Sequence, residues 1–256
     1  MPGDGDHPGV SREDYAKRLQ PLQYRMRSLS LAYFQQHLNG IVVIEGSDTA
    51  GKGGAIRRMT AELDPRHYDV WPIGPPNPTE LRHHYLWRFW QILPERGLIG
   101  IFDRSWYGRV LVERVDALTP EAGWRRAYDE IRAFERTLID GGTRLVKIYL
   151  HVSADEQKRR LAERVKEPHK RWKVSAADFR SHLQRDAYMT AAEEMFAETS
   201  TEAAPWHVIA GDNKRHARLK VIETVFDTFA RDIDLAPRPL DEETLRLAAD
   251  VLGNQD

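Results

Sequence analysis

Short apolar runs alternate along this chain with longer stretches in which hydrophobic residues recur at helical spacing. Five of these runs predict buried strands, at residues 41–44, 67–71, 98–102, 145–152 and 206–209. The residues from Ser11 onward predict the start of a long helix that should end near His37. Strands that alternate with helices favour an α/β fold with a parallel sheet covered on both faces. We therefore expect the functional site in the loops at the carboxyl ends of the strands.

Composition narrows the class of protein. The chain has 256 residues, of which 41% are hydrophobic, and it has no cysteine. We see neither a signal peptide nor a membrane-length apolar run, and so expect a soluble, cytoplasmic protein with no membrane partner. The 38 basic and 39 acidic residues nearly balance, which gives no global electrostatic reason to expect nucleic acid as a partner. Residues 1–10, rich in Gly and Pro, predict a disordered leader before a single domain at 11–256.

The segment 45–54 follows the first apolar run in the manner of a phosphate-binding loop. Gly46, Gly51 and Lys52 fit the pattern G-x-x-x-x-G-K. In such a loop backbone N–H groups approach phosphate oxygens, and the lysine neutralises their charge. The buried strand before the loop and the amphipathic stretch at 55–63 favour phosphate binding over a glycine-rich turn alone.

The position after the lysine departs from the usual loop. Gly53 stands where a Ser or Thr hydroxyl normally ligates Mg²⁺, so another oxygen has to replace it. Asp48, inside the loop, is the candidate. A second carboxylate, Asp103, ends the apolar run at 98–102 as in a Walker B element, and Arg104 follows where it could meet developing phosphoryl charge. The alternative for Asp103 is a helix cap beside a solvated Arg104; the loop nearby favours the functional interpretation.

Taken together, these motifs resemble the signatures of the type-2 polyphosphate kinase family. The matching segments are the loop 46–56, the blocks 102–107 and 112–115, the lid sequence 168–173, and the pairs 199–200, 205–206, 214–215 and 217–218. The resemblance covers residues 12–232. It implies a P-loop kinase-like three-layer sandwich with a parallel five-stranded sheet and a helical lid. Two positions depart from the family pattern: Glu167 stands for the usual Asp, and Arg185 stands where many members have a lid-helix Trp.

The resemblance also implies an activity: phosphoryl transfer between inorganic polyphosphate and a nucleoside mono- or diphosphate. Mg²⁺, or Mn²⁺ in its place, would be the cofactor, and a homo-oligomer, dimer or tetramer, is expected. Family members lack the loop hydroxyl and use the aspartates that match Asp48 and Asp103, which accounts for Gly53. We expect both aspartates to ligate the metal and to act in catalysis with Lys52 and Arg104.

The segment at about 164–190 is the predicted lid, because it combines cations, an aromatic ring and a helix-interrupting proline. Within it, Trp172 offers a flat surface for a base. The residues expected to bind phosphate or nucleotide are Gly46, Ala50, Gly51, Gly53, Gly54, Arg164, Lys170 and Trp172. Arg164 should also stabilise transition-state charge. A polyphosphate track is expected at Arg57, Lys214 and Arg218, beside the presumed site loops.

Two rival functions remain open at the level of sequence. An ATP-dependent nucleoside monophosphate kinase would share the fold, the loop and the lid, and differs in its donor. A noncatalytic protein that binds polyphosphate or nucleotide would keep the cations without turnover; retention of Lys52, Asp48 and Asp103 argues against it. The acceptor nucleotide, the physiological direction and the preferred chain length of polyphosphate are not determined by these motifs.

Overall fold

The computed structural model describes residues 9–253 of the protein. Most of the predicted leader, residues 1–8, lies outside this range. Val10 is partly buried and packs against the hydrophobic core. Along residues 9–253, none of the helices has both the length and the apolar character needed to cross a bilayer.

The centre of the molecule is a five-stranded sheet in which each strand runs parallel to its neighbours, in the order β2-β3-β1-β4-β5. The strands are β1 (Asn39–Gly46), β2 (Tyr68–Pro72), β3 (Ile99–Asp103), β4 (Thr143–His151) and β5 (Trp206–Ala210). Each contains most of a predicted apolar run, so the parallel sheet expected from the sequence is confirmed. Ile44 of β1 pairs with Asp103 of β3, which brings the loop after β1 and the end of β3 to one edge.

Helices cover both faces of the sheet. They are α1 (Arg12–Gln36), α2 (Lys52–Met59), α3 (Trp87–Trp90), α4 (Val112–Val115), α5 (Glu121–Asp140), α6 (Ala154–Lys166), α7 (Ala176–Leu183), α8 (Arg185–Thr199), α9 (Lys214–Phe229) and α10 (Glu242–Leu252). Short 3₁₀ turns lie at Glu80–Arg82, Trp106–Arg109 and Pro168–Lys173. α1, α2 and α9 pack on one core, and α3, α5 and α8 pack on the other.

Alternation along β1 explains the two cores. Val42 and Ile44 belong to the core under α1, α2 and α9, whereas Ile41 and Val43 belong to the opposite one. Successive side chains of a strand point to opposite faces, so a central strand covered on both sides must be apolar at every position. This is why residues 41–44 form an unbroken apolar run and not an alternating one.

The long first helix begins and ends as its sequence predicts. The side chain of Ser11 accepts a hydrogen bond from the backbone N–H of Asp14, which satisfies a donor that the first turn leaves free. At the other end His37 adopts a left-handed conformation, with φ of 54°, and terminates the helix. Both ends lie within one residue of the prediction.

A buried ion pair connects the sheet to the second layer of helices. Lys147 of β4 is fully buried, and its Nζ donates to Glu135 Oε2 of α5 at 2.8 Å and to the carbonyl oxygen of Thr199 at 2.6 Å. Glu135 Oε1 accepts from Trp106 Nε1 at 3.0 Å and from the Tyr107 hydroxyl at 2.7 Å. Burial lowers the pKa of Lys147, and the Glu135 carboxylate opposes that effect. The network holds the turn that follows β3, close to the predicted site.

Candidate active site

The loop between β1 and α2 has the backbone that its glycines allow. Gly46 has φ of 138°, and a Cβ there would lie 2.3 Å from the carbonyl oxygen of Leu150 in β4, so a side chain is excluded. Gly51 has φ of 102° and precedes the first residue of α2. Thr49 is also left-handed, with φ of 67°, a conformation that costs a non-glycine residue free energy and is typical of functional loops.

Lys52, the first residue of α2, folds back over the loop. Its Nζ donates hydrogen bonds to the carbonyl oxygens of Gly46 and Ser47, at 2.9 and 3.4 Å. Burial lowers the pKa of Lys52, Arg104 lowers it further, and Asp48 acts in the opposite direction. The ammonium therefore lies against the backbone of the loop, where an incoming phosphate could replace the two carbonyl partners.

Asp48 and Arg104 form an ion pair between the loop and the end of β3. Arg104 Nη2 lies 2.5 Å from Asp48 Oδ1. Burial opposes ionisation of Asp48, but Lys52 and then Arg104 outweigh it and hold the pKa of the carboxyl below its ordinary value. Arg104 has φ of 65°, and its N–H donates to the carbonyl oxygen of Ile44 at 3.0 Å. Its backbone strain thus lies beside the loop, and its guanidinium is half exposed.

The carboxylate of Asp103 faces the start of α2. A Cβ placed on Gly53 would lie 3.8 Å from Asp103 Oδ2, so this oxygen occupies the space beside the position where other loops carry a hydroxyl. Asp48 and Asp103 both act electrostatically on Lys52. Residues 9–253 contain no group of three or more His, Cys, Asp or Glu side chains that could hold a metal. Two carboxylates completed by phosphate oxygens are a donor set that fits Mg²⁺.

Two residues of the predicted lid that were expected to bind phosphate are paired with other groups of the protein. Arg164 Nη1 donates to the carbonyl oxygen of Lys173 at 2.8 Å and lies 3.3 Å from Asp178 Oδ1. Lys170 pairs with Glu163 and, at 2.8 Å, with Glu167. Both predicted phosphate ligands are thus engaged inside the lid.

Trp172, by contrast, is 80% exposed, with Lys173 Nζ 4.9 Å from its ring centroid. The indole is thus exposed on a basic turn, and its contact with a nucleotide base stays a prediction.

The predicted lid also contacts the loop between β1 and α2 through α7. The side chain of Ser181 lies near Asp48 and helps to lower the pKa of that carboxyl, and His182 Nδ1 lies 3.0 Å from Gln157 Oε1. Gln157 is buried on α6, and its Nε2 donates to the carbonyl oxygen of Asp48 at 3.4 Å.

Arg185, at the position where many family members have Trp, donates to Gln157 Oε1 at 3.1 Å and to the carbonyl oxygen of Val152 at 2.5 Å. Arg185 therefore anchors the start of α8.

A group of cations lies in the last turn of α2 and in the first two turns of α9; we call it the cationic track and define it as Arg57, Arg58, Lys214 and Arg218. A Cβ on Gly54 would lie 3.6 Å from Arg218 Nη2, so this glycine lets the guanidinium approach α2. Burial lowers the pKa of Arg218, and the charges of Arg58 and Arg57 lower it further. Burial likewise lowers the pKa of Lys214, and Arg160 adds to the effect. Arg57 and Arg58 thus repel Arg218, an arrangement that a bound polyanion would relieve.

These features agree with the outcome of comparison with known proteins. A family model described as "Polyphosphate kinase 2 (PPK2)" matches residues 9–234. The chain belongs to the polyphosphate kinase 2 family. It is 45% identical over 228 residues to the polyphosphate:AMP phosphotransferase of Pseudomonas syringae pv. tomato. The match covers 87% of this chain and 46% of that protein. The chain thus spans less than half the length of this relative.

A second relative is matched by this chain over a larger share of the relative's own length. The ADP-polyphosphate phosphotransferase of Rhodopseudomonas palustris is 38% identical over 231 residues, across 85% of this chain and 80% of that protein. The crystal structure of polyphosphate kinase 2 from Arthrobacter aurescens TC1 superposes with a TM-score of 0.89 at 32% identity, across 98% of this chain and 90% of that one. The P-loop kinase-like three-layer fold that the sequence resemblance implied is confirmed.

Two buried charged residues at the site of this polyphosphate kinase 2 family member were not identified from its sequence. Glu45 ends the apolar run before Gly46; burial raises the pKa of its carboxyl, and Ser105 Oγ donates to Glu45 Oε1 at 2.8 Å. The signal was available, because a glutamate that closes a buried strand needs a polar partner. Arg160 is buried on α6 and contacts the loop. Its sequence neighbours are Arg159 and other charged residues, which is typical of a solvated helix face, so no local signal marked it.

Proposed function

We propose that this protein transfers a phosphoryl group between inorganic polyphosphate and a nucleoside mono- or diphosphate, with Mg²⁺ as cofactor. The observation that carries the proposal is the position of the cationic track. Lys214 and Arg218 are one helical turn apart on α9 and so share a face, and Arg218 reaches the first turn of α2, directly behind the phosphate-binding loop. A chain of phosphates that enters the loop could continue along these cations. A single triphosphate has no use for so extended a positive surface.

The proposed roles of the site residues follow from what phosphoryl transfer requires, namely positioning and charge stabilisation. Lys52 exchanges its two carbonyl partners for phosphate oxygens. Arg104, half exposed and aimed at the loop, stabilises charge on the transferring group. Asp48 and Asp103 would hold Mg²⁺, or Mn²⁺, which when bound neutralises phosphate charge. Such a metal ion requires that the pair between Asp48 and Arg104 loosens, which frees the guanidinium for the phosphoryl group.

We propose that residues 164–190 act as the lid. Trp172 would cover the base of the nucleotide. Arg164 can reach a phosphate only if its 3.3 Å pair with Asp178 opens, and Lys170 only if it leaves Glu163 and Glu167. These exchanges would tie phosphate binding to lid closure and to the exclusion of water from the transfer.

The decisive experiment compares donors. Purified protein with Mg²⁺ is given polyphosphate of defined lengths, or ATP, together with each nucleoside mono- and diphosphate in turn. AMP is the first acceptor to test, because the 45% identical relative is named for it. We expect long polyphosphate to outperform ATP, and chelation by EDTA to abolish transfer. Asp48→Asn and Asp103→Asn should each weaken the response to Mg²⁺.

Two outcomes would contradict the proposal. A strong preference for ATP, with no gain from longer phosphate chains, would identify an ATP-dependent nucleoside monophosphate kinase. Polyphosphate binding without turnover for any acceptor would identify a noncatalytic binding protein. A homo-oligomer, dimer or tetramer, is a further part of the proposal, and sedimentation equilibrium of the same preparation tests it directly.

A further inference from the structure

Arg160 is a buried arginine whose five N–H groups all have acceptors. Its side chain is 3% exposed. Nε donates to Glu156 Oε1 at 2.5 Å, Nη1 to the carbonyl oxygens of Thr49 and Ala50 at 2.9 and 3.2 Å, and Nη2 to those of Gly211 and Asp212 at 2.7 and 2.8 Å. One planar group thus joins three segments: α6, the phosphate-binding loop and the turn before α9.

The contact with the loop fixes the direction of a peptide group. In a trans peptide the carbonyl and the N–H of the next residue point in opposite directions, and residues 9–253 contain no cis peptide bond. Because the Ala50 carbonyl points at Arg160, the N–H of Gly51 must point away from it. The N–H of Ala50 is already used within the loop, where it donates to Ser47 at 3.1 Å. Gly51 therefore presents the donor whose direction depends most directly on Arg160.

The second pair of contacts extends this control to the cationic track. Gly211 and Asp212 come just before Lys214, the first residue of α9. Burial lowers the pKa of Lys214, and the nearby charge of Arg160 lowers it further. Because one guanidinium donates hydrogen bonds to both the loop and this turn, it sets the distance between the proposed phosphate ligands of the loop and those at the start of α9.

We propose that Arg160 is a positioning residue for phosphoryl transfer: it orients the Gly51 N–H toward the phosphate and holds the loop in register with the start of α9. The proposal rests on the proposed function above for its kinetic consequence. Its structural content, the orientation of the loop and its spacing from the start of α9, is independent of that function. A lysine at this position would keep the charge but offers three donors without the planar fork, and so cannot serve five acceptors.

Arg159 provides a matched control. It precedes Arg160 on the same helix, is 60% exposed, and pairs with the same Glu156, at 2.6 Å. Its ion pairs are with two carboxylates of α6, those of Glu156 and Glu163. Arg159→Lys therefore makes the same chemical change, beside the same glutamate, on the outer side of the helix.

The test measures binding of inorganic tripolyphosphate with Mg²⁺ by calorimetry, and amide hydrogen exchange across residues 46–54, in Arg160→Lys and Arg159→Lys. Loss of several buried hydrogen bonds should weaken tripolyphosphate binding by about tenfold or more in Arg160→Lys, and speed exchange in the loop by a similar factor. Arg159→Lys should change neither. In kinetic assays the KM for polyphosphate should rise in Arg160→Lys while the KM for the nucleotide stays unchanged.

Equal behaviour of the two variants would overturn the proposal. So would faster exchange in β1 and β4 that matches the change in the loop, because it would mean that Arg160 stabilises the whole fold and not the loop. Failure of the proposed function gives a different result. In that case wild-type protein would show no phosphoryl transfer at all, while loop exchange in Arg160→Lys would still differ from that in Arg159→Lys.

Discussion

Lys52 is held by the carbonyl groups of the loop that it is expected to serve. Its hydrogen bonds to Gly46 and Ser47 keep a buried ammonium satisfied, and three carboxylates, those of Glu45, Asp48 and Asp103, favour its charged form. A phosphate that approaches the loop meets a lysine whose present partners are neutral carbonyl dipoles. Exchange of these partners for phosphate oxygens replaces weaker hydrogen bonds with charge-assisted ones.

We predict that Lys52→Met lowers kcat by about a hundredfold or more, as loss of a preorganised charge at a transition state does. The fold should persist, because a methionine fills the buried stem without an unpaired charge. Steady-state kinetics with polyphosphate and AMP measure the effect, and circular dichroism verifies the fold. Lys220→Met, on the exposed part of α9, is the control. A folded Lys52→Met enzyme with the wild-type rate would refute the assignment of the loop.

His207 of β5 gives a residue-scale prediction about pH. Burial lowers the pKa of His207, and Lys220 and Arg231 lower it further. As the pH is lowered below about 6.5, the imidazole takes up a proton in the unfolded chain but not yet in the folded protein. The free energy of unfolding therefore decreases as the pH is lowered, until the pH passes the pKa of the folded state. His207→Gln should lose less stability between pH 7.5 and 5.5 than wild type in urea denaturation. Lys220→Gln should lose an intermediate amount. Identical slopes for wild type and His207→Gln would contradict the prediction.

The start of α9 concentrates positive charge where a helix usually avoids it. Asn213 caps the helix by accepting hydrogen bonds from the N–H groups of Arg215 and His216, at 3.1 and 2.9 Å. Lys214 and Arg218 follow within the first two turns, although the macrodipole makes cations unfavourable there. Such a placement is consistent with the polyphosphate site proposed above.

We predict that Lys214→Ala and Arg218→Ala raise the KM for long polyphosphate more than they lower kcat, because they remove binding made along the whole chain. The defect should shrink with tripolyphosphate, which displaces fewer counterions, and at high salt, where the release of counterions gains less free energy. Lys220→Ala carries the same change on the exposed side of the helix and should leave KM unchanged. An equal KM increase for tripolyphosphate and for long chains would argue against an extended track.

At the scale of the whole molecule, Lys147 and Glu135 link the sheet to the second helical layer. Their exposure, 0% and 3%, means that neither charge is solvated. Removal of one partner leaves the other buried without compensation, which costs roughly 3–5 kcal/mol. The same glutamate accepts hydrogen bonds from Trp106 and Tyr107, in the turn that follows Arg104, so the pair also supports the site.

We predict that Lys147→Met destabilises the fold by roughly 3–5 kcal/mol, and that adding Glu135→Gln recovers part of this loss. The glutamine is neutral yet can still accept hydrogen bonds from Trp106 and Tyr107. Urea denaturation of the single and double variants completes the cycle. If the double variant were as unstable as the sum of the two single ones, the pair would not be coupled.

Local sequence pattern was sufficient to predict much of the fold and the place of the candidate site within it. The unbroken apolar run at 41–44 predicts a strand buried on both faces, and the glycines and Lys52 after it predict a phosphate-binding loop. The position of Asp103 at the end of a strand was predicted for the same reason, and the structure confirms that position. These features depend on residues that are close together in the sequence, so they can be predicted from the sequence alone.

Only the tertiary structure decided which polar side chains meet. Arg160 and the carbonyl groups of Gly211 and Asp212 are about fifty residues apart, and Lys147 lies in an apolar strand whose sequence does not name Glu135 as its partner. Arg164, expected at the phosphates, pairs inside the lid with Asp178, because the 3₁₀ turn at Pro168–Lys173 brings α7 back onto α6. Periodicity records which residues are apolar and in what order. Which buried donor finds which acceptor depends on distances in the packed chain, and these exist only after the helices and the sheet have come together.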